Sequence, residues 1–376
     1  MVDHKKEGNK KMKQPNVRKL SLLLCLLLIF STVLGGCGAS SSQPYQKALD
    51  AVQAYLEKTV TEPMTGSVGG EWAVIALTRG GGKVSDTFLR TYRENTAAVV
   101  REAQGVLNTA TGYKYTEYAR ILLGWTAAGG DPKDVGGYDF LEKLTDLRNV
   151  CRQGINGPIW ALIAYDCGGY EIPDAPEAPQ TQQGGGAAAA SGRTAAAPVQ
   201  TTREALLRYL LDNRTADGGW TLSGEEADVD LTAMALTAMA PYVCGDETLC
   251  GEVTKETLTE VREAADRALS CLADKKLPDG SFESWGSVNA ESCAQVLTAL
   301  SALGIDAAED DRFAGTLEAL LAFQQKDGGF AHVADGGTNL MATEQAAYAL
   351  AAYERVKNGV RRWTVETDIR IKNKAT

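Results

Sequence analysis

One sequence pattern occurs three times in the second half of this 376-residue chain and constrains its fold more than any other feature. It is an Asp-Gly pair followed by one small residue and an aromatic ring, and its copies are Asp217–Trp220, Asp279–Phe282 and Asp327–Phe330. Asp and Gly readily adopt the backbone conformations of a tight reversal. Each copy follows an amphipathic segment and precedes a more apolar one. The pattern therefore predicts a repeated helical hairpin.

The apolar segments align with one another on an acidic residue that lies six positions before a leucine. This register follows all three turns and occurs twice more upstream, while an amide replaces the acid in a sixth copy; the anchors are Glu71, Glu117, Asn156, Asp230, Glu291 and Glu344. The chain thus contains six predicted hairpins. We expect the first helix of each at about residues 44–60, 86–107, 138–149, 201–213, 255–274 and 311–325.

The two helices of each predicted hairpin differ in polarity. The first keeps a charged face, whereas the second is apolar or small on almost every side. A helix that is apolar on every side must be buried on every side. Six buried helices inside six amphipathic ones fit a closed double ring better than an open solenoid. We predict an all-α fold, an (α/α)6 toroid with inner and outer helix rings, over residues 45–357.

Two segments fall outside this repeat. Residues 171–200 are rich in Pro, Gly, Ala and Gln, and such a stretch cannot bury enough apolar surface to order itself. We therefore predict a disordered surface insertion there. Residues 358–376 form a C-terminal tail without an assigned element.

The N-terminal region has the layout of a signal peptide. Seven basic residues in the first nineteen positions precede an apolar run from Leu20 to Leu34, which is shorter than the roughly 20 residues that a transmembrane helix needs. The sequence Leu34-Gly-Gly-Cys37 resembles the lipobox of bacterial lipoproteins. The resemblance implies that residues 1–37 are a lipoprotein signal, that Cys37 carries a lipid such as palmitate, and that residues 38–44 are a spacer. An ordinary secretory cleavage site with a chance cysteine is the alternative, and Met12 is a second possible start.

The charge of the exported part disfavours one class of partner. Without residues 1–37 the chain keeps 31 basic and 46 acidic side chains, so we expect no nucleic acid as a partner. We expect a lipid-anchored protein on the extracellular face of a bacterial cell membrane. Its other partner would be a small molecule or a cell-surface protein, and no motif for a cofactor is present.

Six cysteines remain besides Cys37 and the signal's Cys25. An even number in an exported chain is compatible with disulfides, and Cys244 and Cys250 are the best candidate pair because they bracket a short loop. Buried thiols that pack as small hydrophobic groups are the alternative.

The glycine-and-aromatic turns, as in Gln324–Phe330, resemble the repeats of squalene-hopene cyclases, and the predicted fold is similar to that of terpenoid cyclases and protein prenyltransferases. The stretch Gln153–Leu162 is also similar to surface lipoproteins of Gram-positive bacteria that carry this toroid. Transcobalamin-like vitamin carriers share the architecture. The resemblance therefore implies the toroid and leaves its chemistry open.

The sequence Asp228-Val-Asp230-Leu-Thr-Ala looks like the Asp-X-Asp-Asp-Thr-Ala motif of class II terpene cyclases. That resemblance implies that Asp230 is a general acid and Asp228 its supporter, but Leu231 replaces the third aspartate. A second interpretation is structural. Because acids recur at this register in other repeats, Asp230 would oppose the helix dipole and satisfy free N–H groups at the helix start.

Protein prenyltransferases hold zinc with an aspartate, a cysteine two residues later and a distant histidine. Glu291, Cys293 and His332 are a loose counterpart of that set. Three protein ligands and an open position are what catalytic zinc requires. A loop histidine and a core cysteine are the structural alternative.

The acids at the starts of the inner helices should converge on one mouth of the ring. We therefore predict a ligand site that contains those acids and the aromatic residues of the inner helices, namely Glu71, Glu117, Asp230, Glu291, Glu344, Trp125, Trp160 and Tyr348. A non-catalytic binding or surface-interaction protein is the main functional hypothesis. The alternatives are an isoprenoid cyclase or prenyltransferase-like enzyme and a purely structural module at the cell surface.

Overall fold

The computed structural model describes Met1 and residues 43–109, 112–176 and 197–359. In chain order, the helices of these residues are α1 (Pro44–Thr59), α2 (Glu71–Arg79), α3 (Asp86–Glu102), α4 (Tyr115–Ala127), α5 (Leu147–Val150), α6 (Asn156–Asp166), α7 (Arg203–Asp212), α8 (Val229–Val243), α9 (Glu247–Cys250), α10 (Lys255–Lys275), α11 (Ala290–Ala302), α12 (Thr316–Leu321) and α13 (Leu340–Lys357). Two antiparallel hairpins pair β1 (Asn108–Thr109) with β2 (Gly112–Tyr113) and β3 (Glu283–Ser284) with β4 (Ser287–Val288).

The fold is an (α/α)6 toroid, as the sequence predicts. Six helices, α2, α4, α6, α8, α11 and α13, form the inner ring, and each packs against the next. Contact between α13 and α2 closes the circle. These helices are buried on nearly every side, because the outer helices cover their flanks. On the outside, α1 packs on α2 and α13, α7 packs on α6, α10 packs on α7 and α8, and α12 packs on α11.

The three Asp-Gly turns have the same hydrogen bonds and the same backbone conformation. In each, the second residue is a glycine with positive φ, +97° at Gly218, +88° at Gly280 and +95° at Gly328. The carbonyl of each aromatic residue then accepts the N–H of the residue that caps the next inner helix. Trp220, Phe282 and Phe330 are fully buried. The turn therefore delivers one ring to the core and fixes the start of the inner helix.

The caps correct the alignment of the last repeat. Asp228, Asn289 and Asn339 begin α8, α11 and α13, and each side chain accepts an N–H three residues later. Counted from the caps, Asp230 corresponds to Glu291 and to Met341 rather than to Glu344. Glu344 lies three residues further on, almost one helical turn, so the acid-to-leucine spacing was in the wrong register there.

Two outer helices are shorter than predicted. Residues 138–149 contain only a 3-10 turn at Glu142–Leu144 and the start of α5, because Asp139, Thr145 and Asp146 bond to nearby backbone groups in place of a helix ladder. The segment 311–325 contains only α12, since Gly315 adopts φ +91° immediately before it. The outer ring is therefore less regular than the inner ring.

The ends of the predicted insertion are ordered, which corrects its boundaries. The amide of Gln200 bonds to the backbone of Pro173 and Ala175, and Leu147 donates its N–H to the carbonyl of Val199. Residues 177–196 lie outside the described residues, as do residues 2–37 of the predicted signal, including the predicted lipidation site Cys37, and most of the tail. None of the helices in the described ranges has the length and hydropathy needed to cross a bilayer.

The predicted disulfide does not form in the structure. Cys244 and Cys250 are not joined to one another. Sγ of Cys244 lies 3.7 Å from the carbonyl oxygen of Leu303, whereas Sγ of Cys250 lies 3.8 Å from that of Tyr242. The two thiols therefore point to different parts of the backbone.

Candidate functional site

A cavity of about 260 Å³ opens at the end of the ring where the inner helices begin. All six inner helices contribute to its lining, which consists of Trp72, Thr116, Arg120, Asn156, Trp160, Asp230, Leu231, Met234, Gln295, Gln345 and Tyr348. Every one of these residues belongs to the first three turns of its helix. Because the six hairpins repeat with the same direction, their N-terminal turns meet at one mouth.

Helical periodicity explains which side chains face the cavity. Residues three or four apart lie on one face of a helix. The cavity accordingly receives the pairs Thr116 and Arg120, Asn156 and Trp160, Asp230 and Met234, and Gln345 and Tyr348. The site predicted from the sequence did not include the amide side chains or Arg120. Asn156 and Gln345 could have been found, because they precede the predicted residues Trp160 and Tyr348 by four and three positions.

Aromatic rings form one wall of the cavity. The ring centroid of Trp72 lies 5.1 Å from that of Trp160 and 5.8 Å from that of Tyr348. Gln295 donates a 2.9 Å hydrogen bond to Oε1 of Gln345 and a second one to the hydroxyl of Tyr348. Hydrogen-bonding groups are thus fixed beside the aromatic surface. A ligand with a flat apolar face and several polar groups would meet both.

Asp230 is the carboxylate of this cavity. Asp228 rather than Asp230 caps α8, since Asp228 accepts the N–H of Leu231 at 2.9 Å, while Asp230 lies in the first turn of the helix, where a carboxylate opposes the helix dipole. Oδ1 of Asp230 is buried and has no hydrogen-bond partner among the described residues. Burial raises the pKa of Asp230 to about 6; the charges of Asp228 and Glu291 act in the same direction, and the hydroxyls of Ser292 and Ser284 act against it. The group can therefore hold a proton near pH 6.

Arg120 supplies the positive charge of the lining. Its Nε lies 2.9 Å from Oε2 of Glu71, which also accepts the N–H of Gly66 at 3.0 Å. The hydroxyl of Tyr92 donates to the other oxygen of Glu71 at 3.2 Å. Glu71 is fully buried and positions Arg120 from behind the cavity wall. The ion pair uses Nε, and the guanidinium carries four further N–H donors.

The structure does not bring the predicted acids together, and only Asp230 among them lines the cavity. Glu71, Glu117 and Glu344 differ from Asp230 in their position relative to the helix start, so their side chains leave the helices in other directions. Glu291 has the same position as Asp230, and its carboxylate pairs with His332. Glu344 is fully buried and accepts the N–H of Gly69 at 2.7 Å, while its Oε2 has no partner among the described residues. Burial raises the pKa of Glu344 to about 8.

The remaining predicted residues divide between cavity and periphery. Trp160 and Tyr348 line the cavity, but Trp125 is buried elsewhere and donates its indole N–H to the carbonyl of Asp131 at 2.9 Å. Glu117 lies 3.7 Å from Nζ of Lys114 near the surface. Glu291 lies 2.8 Å from Nδ1 of His332, at a separate surface depression.

The zinc alternative is not supported by this arrangement. Glu291 and His332 are adjacent, but no group of three His, Cys, Asp or Glu side chains in the described ranges is placed to hold a metal. Cys293 is completely buried, and burial raises the pKa of its thiol to about 12. A zinc ligand must be a thiolate, which this environment disfavours. Cys293 is therefore a core residue.

Comparison with known proteins gives no family assignment: no family model matches the chain, and no curated protein matches it. Two solved structures are similar in outline. A polysaccharide lyase has a TM-score of 0.44 at 11% sequence identity, over 84% of this chain and 97% of that one. A glycosyl hydrolase of family 88 from Bacteroides vulgatus has a TM-score of 0.42 at 11% identity, over 83% of this chain and 99% of that one.

Proposed function

We propose that this is a lipid-anchored extracellular binding protein that holds a small ligand in the mouth of its toroid. The observation that carries the proposal is that all six inner helices contribute side chains to one cavity. A purely structural module would need no such convergence. The ligand has a flat apolar face for Trp72 and Trp160 and polar groups for Asn156, Gln345 and Arg120.

The polar lining disfavours an isoprenoid ligand. A hydrocarbon chain cannot satisfy the amides of Asn156 and Gln345 or the guanidinium of Arg120, and leaving buried polar groups without partners is costly. Binding sites for small molecules instead combine aromatic walls with a few converging polar groups. The cavity has this combination.

Native mass spectrometry of the purified protein after exposure to an extract of culture medium tests the proposal. We expect an adduct of defined mass on the wild-type protein. Trp160→Ala should abolish the adduct, whereas Trp125→Phe, a change outside the cavity, should keep it. Absence of any adduct, or an adduct of equal abundance on the Trp160→Ala protein, would contradict binding in the cavity.

The lipid anchor is a separate part of the proposal and rests on Leu34-Gly-Gly-Cys37. Labelling of cells with a palmitate analogue should mark the wild-type chain and fail to mark a Cys37→Ala chain. The variant should appear in the medium or in uncleaved form, because the lipid would no longer hold it. Persistent labelling of Cys37→Ala would refute lipidation at this residue.

Acid catalysis by Asp230 is a second candidate function, and one observation favours it. The side chain lines the cavity with an unpartnered oxygen, and its raised pKa lets it carry a proton near pH 6. If the protein is an enzyme, the Asp230→Asn variant should lose turnover and still bind the ligand. A binding protein would release its ligand unchanged, so mass spectrometry of the ligand after incubation separates the two functions.

A further inference from the structure

Exposed apolar side chains gather at the mouth of the ring. Among the described residues, the large apolar side chains that remain exposed in the loops before the inner helices, or in the first turn of such a helix, are Met64, Val68, Val106, Leu222, Trp285 and Met341. Only Met1 and Val199 are exposed elsewhere in those residues. Because the inner helices all begin at this end of the ring, these side chains lie at the end where the cavity opens, although none of them lines it. Leu222 lines a second surface depression, and Val68 and Met341 line a third.

Trp285 stands out among them in exposure and in conformation. Its side chain is 82% exposed at the tip of the β3–β4 hairpin. Trp285 and Gly286 are the two loop residues, and their φ values of +55° and +80° are typical of a type I′ turn. The two loop positions of a type I′ turn favour Asn followed by Gly. Trp285 occupies the position of the Asn, and the backbone of a bulky residue with positive φ is strained. A residue that is both strained and exposed does not stabilise the fold, which suggests a role in binding.

The hairpin is fixed to the helices that carry the cavity. The buried Ser284 donates its hydroxyl proton to Oδ2 of Asp228 at 2.7 Å, two residues before Asp230. On the other strand, the amide of Asn289 donates to the carbonyl of Ser287 at 3.0 Å, and Asn289 caps α11. Both strands are therefore tied to the starts of inner helices, and the hairpin holds Trp285 at the end of the ring where the cavity opens.

We propose that Trp285 is an outer stacking subsite for a carbohydrate chain whose inner sugar unit occupies the cavity. This inference rests on the proposed binding function. A sugar ring has one apolar face that stacks on an indole and hydroxyl groups around its edge that bond to amides, guanidinium and carboxylate. The cavity offers these partners around Trp160, and Trp285 offers a second aromatic face outside it. The ligand is thus longer than the cavity.

Two other occupants fit the mouth less well. A peptide that binds by strand addition needs a strand edge of useful length, and the four strands of the described residues have two residues each. An anionic membrane surface would be repelled by Glu225, Glu226 and Glu283, which are exposed in the same loops. A neutral carbohydrate chain meets neither obstacle.

Calorimetric titration with cello-, xylo- and chito-oligosaccharides of one to six units tests the inference on the purified full-length protein. In the series that binds, we expect affinity to rise with chain length. Trp285→Asn should weaken binding of the longer members roughly tenfold and leave the monosaccharide within about twofold. Since Asn-Gly suits the turn, this variant should melt at the same or a higher temperature. The Trp285→Phe variant should retain most of the increase in affinity with oligosaccharide length.

The outcomes separate this inference from the proposed function. Binding that is independent of chain length, or a gain with length that survives in Trp285→Asn, would refute the outer subsite while the cavity still binds. If no oligosaccharide binds but the medium extract gives an adduct that needs Trp160, the carbohydrate assignment is wrong. If neither experiment detects a ligand, both proposals fall.

Discussion

Oδ2 of Asp228 accepts the hydroxyl proton of Ser284 at 2.7 Å, while Oδ1 of the same carboxylate accepts the N–H of Leu231 at 2.9 Å. One side chain therefore caps an inner helix and holds the hairpin of the neighbouring repeat. The same residue is the first aspartate of the sequence that resembles the cyclase motif. Its structural role is sufficient to explain its identity without any catalytic function.

Replacement of Asp228 tests this double role. Asp228→Ala should lower the free energy of unfolding by about 1–3 kcal/mol, because it removes a cap and leaves the Ser284 hydroxyl without its acceptor. Asp228→Asn keeps a good capping side chain and should cost about 1 kcal/mol less than the alanine variant. Urea denaturation gives both values. Equal losses in the two variants would contradict the capping role.

Glu344 should make stability depend on pH. Its pKa is raised to about 8 in the folded protein, so the native state binds a proton more tightly than the unfolded chain does, and stability falls as pH rises from about 4.5 to 8. Glu344→Gln removes this loss. The free energy of unfolding of the variant, relative to wild type, should increase by at most about 1.4 kcal/mol for each pH unit over that range.

Thermal or urea denaturation at pH 5, 6.5 and 8 measures this difference. Glu117→Gln is the matched control, because Glu117 sits near the surface beside Lys114. A difference between Glu344→Gln and wild type that stays constant with pH would show that Glu344 is ionised throughout.

Arg203 anchors an outer helix to the inner ring. Its side chain is completely buried, with Nε 2.8 Å from Asp166 and one terminal nitrogen 2.8 Å from Glu252. Tyr242 donates to the other oxygen of Asp166 at 2.8 Å. Arg203→Met would leave the carboxylate of Asp166 buried without its cation and should cost about 3–5 kcal/mol of stability.

Arg208→Met serves as its control, since Arg208 lies on the same helix α7 and pairs with Glu260 near the surface. Exposed pairs contribute little, so the control should unfold almost as wild type does. Chemical denaturation of both variants makes the comparison, and similar midpoints would contradict a structural role for the buried pair.

The turn glycines should tolerate no side chain. A Cβ at position 280 would lie 2.3 Å from the carbonyl carbon of Gly315, and φ there is +88°. Gly280→Ala should therefore destabilise the protein by at least about 2 kcal/mol. Gly337→Ala is the control, because a Cβ at that position meets no atom within 4 Å and φ there is not positive. A melting temperature of Gly280→Ala that matches the control would show that the turn can move.

The inner ring could be predicted from sequence because its signal is local. Apolar helices separated by Asp-Gly turns determine both the hairpins and their burial. The cavity could not be predicted in the same way, because it depends on which turn of each helix reaches the centre. The spacing from an acid to a leucine aligned Glu344 with Asp230 as equivalent positions of the repeat. The helix caps show instead that Met341 is the residue equivalent to Asp230. The position of Arg120 likewise depends on Glu71, 49 residues earlier, a contact that no local pattern contains.

Closure of the ring joins the first repeat to the last. The rings of Tyr45 and Tyr353 are 5.0 Å apart, and Gly69 bonds to Glu344 across 275 positions of sequence. A chain that leaves the ribosome or a translocon from its N-terminus cannot make these contacts until α13 has emerged. Until then α2 and α11 lack their shared neighbour, and the cavity lacks Gln345 and Tyr348. The complete cavity would thus be the last part of a newly made molecule to form, and a copy that ends before α13 would lack the wall that Gln345 and Tyr348 supply.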